Sequence, residues 1–127
     1  MILRMQGLHI TADLAGCDAA LPLMREPEAL RVACLQAVRQ AGLHPVGELF
    51  HRFPAPGGIT GVVLLAESHL AVHTWPELEA VTLDVYVCNL GADNSARAEA
   101  LLAALRAFFA PQAAQLQRLQ RGLPEGA

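Results

Sequence analysis

The segment that decides the fold is residues 59–88, with the sequence ITGVVLLAESHLAVHTWPELEAVTLDVYVC. Its centre, residues 67–77, combines one serine, two histidines, two glutamates and the only tryptophan of the chain. Residues 59–66, 70–75 and 81–88 have the composition of strands, and their short connections favour antiparallel pairing because a parallel crossover needs about a dozen residues. We therefore expect three consecutive strands that hold chemically capable side chains on a rigid sheet.

Further strands are predicted on both sides of this segment. Residues 8–14 alternate apolar and polar side chains, the period of a half-buried strand, and residues 46–53 form another strand before a Pro/Gly-rich turn at 54–58. The tail, residues 112–122, fits a helix as well as a final edge strand. From Gly122 onward we expect the chain to be frayed.

Two helices complete the predicted fold. Residues 27–41 have helical spacing between Pro27 and Gly42, and a second helix runs to Phe109 from a cap at Asp93 or Asn94. This pattern predicts an α+β fold: a two-layer sandwich of a five- or six-stranded, mainly antiparallel sheet with both helices on one face. The length fits a single domain, residues 1–127.

The other face of the sheet is predicted to be an interface. The strand segments 59–66 and 81–88 are nearly continuous in apolar residues, as in strands buried on both faces, and two helices cannot cover both sides. We expect a homodimer that forms through the sheet region. The alternative is that loops cover these residues.

Composition excludes several classes of function. A net charge of −3 without clustered Lys and Arg argues against nucleic-acid binding, and no apolar stretch approaches the roughly 20 residues that cross a bilayer. The N-terminus lacks the pattern of a secretory signal. Three distant cysteines, Cys17, Cys34 and Cys88, do not suit a disulfide framework. We expect a cytoplasmic protein with reduced thiols.

Spacing alone weakens two interpretations of the central segment. On a strand, His69 and His73 lie about 13 Å apart, too far to share a metal ion, so we expect no metal site. Ser68 lacks the Gly-x-Ser-x-Gly elbow of hydrolases. Because Ser68 and His73 point to opposite faces of a regular strand, they can cooperate only if the chain turns sharply around residues 67–69.

Residues 65–77, LAESHLAVHTWPE, closely resemble the processing-site motif of the prokaryotic S-adenosylmethionine decarboxylases, which are small pyruvoyl-dependent enzymes. The resemblance continues in FHRF at residues 50–53, TGVV at 60–63 and LDVYVC at 83–88. It extends from about residue 7 to 110, in the family's order and near its spacing.

This resemblance implies that the chain cuts itself between Glu67 and Ser68. Ser68 would attack the carbonyl carbon of Glu67 and end as a pyruvoyl group at the start of fragment 68–127, with 1–67 as the other fragment. His73 would be the processing base, since an imidazole titrates near neutrality. Thr60 stands where the family has a serine that assists processing.

The resemblance also assigns the residues of the mature enzyme. The pyruvoyl group would form a Schiff base with S-adenosylmethionine and act as an electron sink during loss of carbon dioxide, yielding the aminopropyl donor of spermidine and polyamine synthesis. Cys88 would return a proton to the substrate carbon. Phe53 and Trp75 would flank the adenine ring, unless they serve core or interface packing, and Glu77 would accept hydrogen bonds from the ribose.

The sequence does not assign a definite role in the site to three further histidines and one arginine. His51 and Arg52 either line the site across the dimer boundary or support their strand. His9 and His44 are interpreted as structural.

Two alternatives stay open at this point. Some members of the family that the chain resembles have the same motif but decarboxylate ornithine or arginine instead. This chain has YVCN at residues 86–89 where FTCG is usual, and LEA at 78–80 in place of a Tyr-Gly-Tyr-like stretch. A non-enzymatic regulator is the second alternative. Such a chain would be expected to lose Ser68, His73 or Cys88, and all three are present.

Overall fold

The computed structural model describes residues 6–123 of the 127-residue chain. Its elements are, in chain order, β1 (Gln6–Ala15), α1 (Pro22–Arg25), α2 (Pro27–Gln40), β2 (Pro45–Arg52), β3 (Ile59–Leu65), β4 (Ser68–Trp75), a 3₁₀ turn (Pro76–Leu78), β5 (Ala80–Cys88), α3 (Ser95–Phe109) and β6 (Ala113–Gly122). The strands form one antiparallel sheet in the order β2-β3-β4-β5-β1-β6. Fraying was predicted from Gly122 onward, but Gly122 pairs with Gln6 as the last residue of β6, and the prediction for residues 124–127 lies outside the described residues.

The central segment folds as three consecutive antiparallel strands, as predicted. Leu65 pairs with Ser68 across the β3–β4 hairpin, and His69 pairs with Tyr86 between β4 and β5. Alternate residues of these strands face the helices and are fully buried, for example Val63, Leu70 and Val85. Period-two alternation therefore determines which side chains enter the core.

Both long helices pack on this same face of the sheet. α2 begins at Pro27, whose fixed φ suits a first turn, and α3 begins at Ser95 and buries Leu101, Leu105 and Phe109. One continuous core joins them to β1, β3, β4 and β5. The predicted two-layer α+β fold is confirmed.

Of the two conformations predicted for the tail, helix and edge strand, the structure shows the edge strand. β6 pairs with β1 over its whole length, and Ala114 and Leu116 pack against the core. The edge of β1 that β5 leaves free offers backbone hydrogen-bond partners, and these favour a strand over a helix for the tail. Helix α1 and the 3₁₀ turn were not predicted, because elements of four and three residues are too short to show a period.

The second face of the sheet is only partly covered within one chain. Leu49 is 70% exposed and Leu64 49% exposed, so burial on both faces is not reached by one copy alone. The expected dimer remains a prediction. Within residues 6–123, no helix is both long and apolar enough to cross a membrane.

Candidate active site

The β3–β4 hairpin places the Glu67–Ser68 bond in an unfavourable turn. Leu65 and Ser68 pair directly, so the loop is only Ala66 and Glu67, and Glu67 has a φ of 56°. Left-handed backbone costs an L-residue about 1–2 kcal/mol. The sharp turn expected at residues 67–69 lies at 66–67 instead, and Ser68 already belongs to the strand.

Ser68 lies beside Cys88 at one end of the sheet. The backbone N–H of Cys88 donates a hydrogen bond to Ser68 Oγ at 3.1 Å. Cys88 ends β5 and is 8% exposed, and its Sγ accepts a hydrogen bond from the N–H of Leu90 at 3.4 Å. We call Ser68 and Cys88 the cleavage end of the site.

Thr60 and His73 form a second group toward the other end of β4. They pair across β3 and β4, with 3.0 Å between Thr60 Oγ1 and His73 Nδ1. This hydrogen bond occupies one ring nitrogen and fixes the ring's orientation.

His73 lines a cavity of about 200 Å³, the His73 cavity, which also contains the predicted substrate residues. Its walls are Phe53, Gly57, Gly58, Ile59, Thr60, His73, Thr74, Trp75 and Glu77. Phe53 and Trp75 are 45% and 43% exposed, and the Trp75 ring lies 6.4 Å from that of His73. Two aromatic rings and a carboxylate thus surround one opening.

Within one chain, the cleavage end and the His73 cavity are separate. β4 is continuous from Ser68 to Trp75, so Ser68 and His73 lie about 16 Å apart along a strand that rises roughly 3.3 Å per residue. An odd separation also points their side chains to opposite faces. The turn that would let them cooperate within one chain is absent from β4, and His73 does not reach Ser68 of its own chain.

A polar cluster surrounds His69, the residue after Ser68. His9 lies 3.4 Å from Asp84 and 3.2 Å from Arg121, and the rings of His9 and Tyr86 lie 6.3 and 5.7 Å from His69. Burial lowers the pKa of His69, His9 and Arg121 lower it further, and Asp84 opposes the shift. The neutral imidazole is therefore the favoured form beside the cleavage end.

Three other residues support the site and were missed from the sequence. Thr74 is buried, accepts a hydrogen bond from Ile59 N–H at 2.9 Å and donates one to the Met24 carbonyl at 2.8 Å, which fixes the cavity wall. Asn94, expected only as a helix cap, donates its amide to the Cys88 carbonyl at 2.9 Å. Asn89, which follows Cys88 directly, accepts from the N–H of Asn94. The sequence signal that could have indicated this support is the pair of asparagines, Asn89 and Asn94, at the two ends of the loop that follows Cys88.

No group of three or more His, Cys, Asp or Glu side chains in the described range 6–123 is arranged to hold a metal ion.

This chain is similar in sequence to known S-adenosylmethionine decarboxylases. The sequence profile of S-adenosylmethionine decarboxylase matches residues 8–122. The S-adenosylmethionine decarboxylase proenzyme of Pyrococcus furiosus is 34% identical over 119 residues, which cover 94% of this chain and 81% of that protein. The proenzyme of Aquifex aeolicus is 47% identical over 83 residues, 65% of this chain and 59% of that protein.

The fold agrees with this sequence relationship. The crystal structure of the adenosylmethionine decarboxylase from Aquifex aeolicus superimposes with a TM-score of 0.84 at 35% identity, over 98% of both chains. The profile match spans most of the chain, and the same architecture accompanies it. The chain therefore belongs to the S-adenosylmethionine decarboxylase family.

Proposed function

We propose that the protein is a self-processing, pyruvoyl-dependent decarboxylase that converts S-adenosylmethionine to its decarboxylated form, the aminopropyl donor of polyamine synthesis. The observation that carries the proposal is the hairpin tip: a left-handed Glu67 precedes Ser68, whose hydroxyl is hydrogen-bonded to the backbone of Cys88. Sequence relatives are named proenzymes, and a solved adenosylmethionine decarboxylase has the same architecture.

Cleavage at this tip leaves the sheet intact. Ser68 Oγ attacks the carbonyl carbon of Glu67, and the peptide C–N bond breaks to leave an ester. Loss of the Cα proton of Ser68 then breaks its Cβ–Oγ bond and frees the fragment that ends in the Glu67 carboxylate. The dehydroalanine left at residue 68 becomes an imine, and water hydrolyses it to the pyruvoyl group with loss of ammonia. Departure from the left-handed turn relieves backbone strain. The fragments are 1–67 and 68–127. They remain associated because β4 pairs with β3 of the first fragment, while β5 and β6 pair with β1.

A second copy of the chain completes the site. His73 lies about 16 Å along β4 from its own Ser68. A twofold axis near the middle of β4 exchanges the ends of the strand, so His73 of one protomer is brought toward the end of the partner's β4 at which Ser68 lies. The exposed apolar side chains of Leu49 and Leu64 supply surface on the uncovered face for this contact. We therefore propose a homodimer with two composite sites.

The His73 cavity suits the nucleoside part of the substrate. At about 200 Å³ it is smaller than the roughly 300–1,000 Å³ of sites that enclose a whole small-molecule ligand. Phe53 and Trp75 stack on the adenine ring, and Glu77 accepts hydrogen bonds from the ribose hydroxyls. The amino-acid end then extends toward the cleavage end of the partner subunit.

The residues at the cleavage end fit a pyruvoyl cofactor. Ser68 is the precursor residue, and the backbone N–H of Cys88 donates to its Oγ, so the residue that carries the proposed proton-donating thiol is a direct neighbour of Ser68. A pyruvoyl group supplies an electron-withdrawing carbonyl that stabilises negative charge when an amino acid loses carbon dioxide.

The mass of the purified protein tests the proposal. We expect two fragments that separate at Glu67–Ser68, the second with a pyruvoyl end, whereas the Ser68→Ala variant stays intact at 13.5 kDa. Carbon dioxide release is then measured in parallel with S-adenosylmethionine, ornithine and arginine. An intact wild-type chain would contradict the processing proposal, and activity on ornithine or arginine alone would contradict the proposed substrate.

A further inference from the structure

We infer that Asn94 is a positioning residue for Cys88: with Asn89, it holds the thiol in the orientation that delivers a proton to the substrate carbon. The inference rests on the proposed function, because it assigns a supporting residue to the proton donor of that reaction.

Asn94 lies at a helix start without acting as its cap. Its backbone occupies the N-cap position of α3, yet its side chain makes no capping hydrogen bond. Asp93 takes that role, since its carboxylate accepts the N–H of Ser95 at 2.9 Å. The Asn94 side chain instead turns back to the end of β5.

Every polar group of the Asn94 side chain is used there. Nδ2 donates to the Cys88 carbonyl at 2.9 Å, and Oδ1 accepts from Arg97 at 2.7 Å. The backbone N–H of Asn94 donates to Asn89 Oδ1 at 2.8 Å. The side-chain amide is thus held at both its donor and its acceptor, and the backbone of Asn94 is held at a third point.

Asn89 anchors the other side of the same loop. Its Nδ2 donates to Ser95 Oγ at 3.0 Å, and its backbone N–H donates to the Gln6 carbonyl at 2.7 Å. The loop after Cys88 is therefore tied to both β1 and α3. Leu90 is carried by this loop, which places its N–H 3.4 Å from Cys88 Sγ.

Cys88 consequently has a partner at each of its polar atoms. Its N–H donates to Ser68 Oγ, its carbonyl accepts from Asn94 and its sulfur accepts from Leu90. Processing consumes the Ser68 hydroxyl. The hydrogen bonds from the loop are then the ones that keep the thiol in place in the cut enzyme.

The position of the thiol determines whether the enzyme survives a turnover. A proton transferred from Cys88 Sγ to the substrate carbon would let water release the decarboxylated amine and restore the cofactor carbonyl. Protonation of the cofactor carbon instead would leave the substrate's amino group on the protein as alanine, and hydrolysis with water would release the decarboxylated substrate as an aldehyde. The ratio of turnovers to inactivation events therefore reports the placement of the thiol.

The experiment compares Asn94→Ala and Asn94→Asp with Asp93→Ala in the full-length protein. Asn94→Asp keeps the size of the side chain and the acceptor for Arg97, but it replaces the amide donor that faces the Cys88 carbonyl. Asp93→Ala is the matched control, because it weakens the same helix start without contacting Cys88.

Two quantities are measured, the rate at which iodoacetamide alkylates Cys88 and the number of turnovers per inactivation. Alkylation is located by peptide mass. Cys17 and Cys34 are fully buried, and burial raises the pKa of both thiols, that of Cys34 to about 12, so they stay unreacted. Turnovers per inactivation do not depend on the folded fraction, since unfolded molecules do neither reaction.

We expect both Asn94 variants to alkylate faster and to lose about ten-fold in turnovers per inactivation, while Asp93→Ala matches the wild type. If Asn94→Ala fails to fold, Asn94→Asp carries the test. Unchanged alkylation and unchanged turnovers per inactivation in a folded Asn94 variant would overturn the inference, and so would faster alkylation without a change in turnovers. A wild type that neither cuts itself nor decarboxylates refutes the proposed function and, with it, the role in proton delivery, even where alkylation still differs.

Discussion

At the scale of single residues, Glu67 combines an unfavourable backbone conformation with the bond that we propose is cut. Its φ of 56° suits glycine, which lacks the Cβ that makes this region costly. In the uncleavable Ser68→Ala background, we expect Glu67→Gly to stabilise the chain by about 1 kcal/mol, as measured by urea unfolding. In the wild-type background, the same change should slow fragment formation, because less strain is released.

Glu79 provides the matched control for this prediction. It is also a glutamate with a positive φ, 52°, at the end of the 3₁₀ turn. Glu79→Gly should give a similar gain in stability with an unchanged cleavage rate. Equal slowing by both substitutions would show that global stability, rather than strain at the bond, sets the rate.

We propose that Thr60 assists processing by orienting the ring of His73. Thr60→Val removes the hydroxyl that lies 3.0 Å from Nδ1 and keeps the shape, whereas Thr60→Ser keeps the hydroxyl. We expect the valine variant to form fragments about ten-fold more slowly, since an unoriented base loses part of its effect, and the serine variant to stay near wild type. Denaturing gels of newly made protein follow the rate. Equal rates in both variants would contradict the role of the hydroxyl.

At the scale of elements, the turn between β2 and β3 closes the His73 cavity by backbone contact. A Cβ at the buried Gly58 would collide with the Thr74 carbonyl and with Pro76 Cδ, so the turn and the 3₁₀ segment cannot both keep their positions. We expect Gly58→Ala to destabilise the fold by about 1–3 kcal/mol in urea unfolding.

Gly47, in β2, is the control for that substitution. A Cβ there meets only Leu64 Cδ1 at 3.6 Å, an ordinary contact. Gly47→Ala should shift stability by less than about 0.5 kcal/mol. If Gly47→Ala destabilised the fold as much as Gly58→Ala, the close approach of Gly58 to Thr74 and Pro76 would not be the cause of the loss in stability.

At the scale of the whole molecule, the separation of Ser68 from His73 predicts complementation between chains. A Ser68→Ala chain cannot be cut, and a His73→Ala chain lacks its base, so neither should form fragments alone. When both are co-expressed with different tags, we expect the His73→Ala chain to be cut, because its partner supplies His73. Mass spectrometry of the tagged fragments identifies the cut chain.

The complementation experiment has two informative failures. Mixed dimers that are isolated through both tags but stay uncut would contradict the composite site. Failure to recover mixed dimers, with single copies in solution, would contradict the proposed assembly itself.

The sequence was sufficient where local pattern and burial agree. Alternation in residues 8–14 and the helical spacing of 27–41 predicted β1 and α2, since each pattern has a single way to bury its apolar side chains. The tail was ambiguous because residues 112–122 satisfy both periods weakly. The unpaired edge of β1 decided it, and that edge is a long-range property.

The sequence by itself determined the fold class and the family, because residue type and spacing are enough to recognise them, and it indicated the residues proposed to carry the chemistry. Only the tertiary structure decided how these residues are grouped. The continuous strand β4 separates Ser68 from His73, and the β3–β4 hairpin gives Glu67 its left-handed backbone. Distances between side chains depend on strand register and pairing, which a linear motif does not contain.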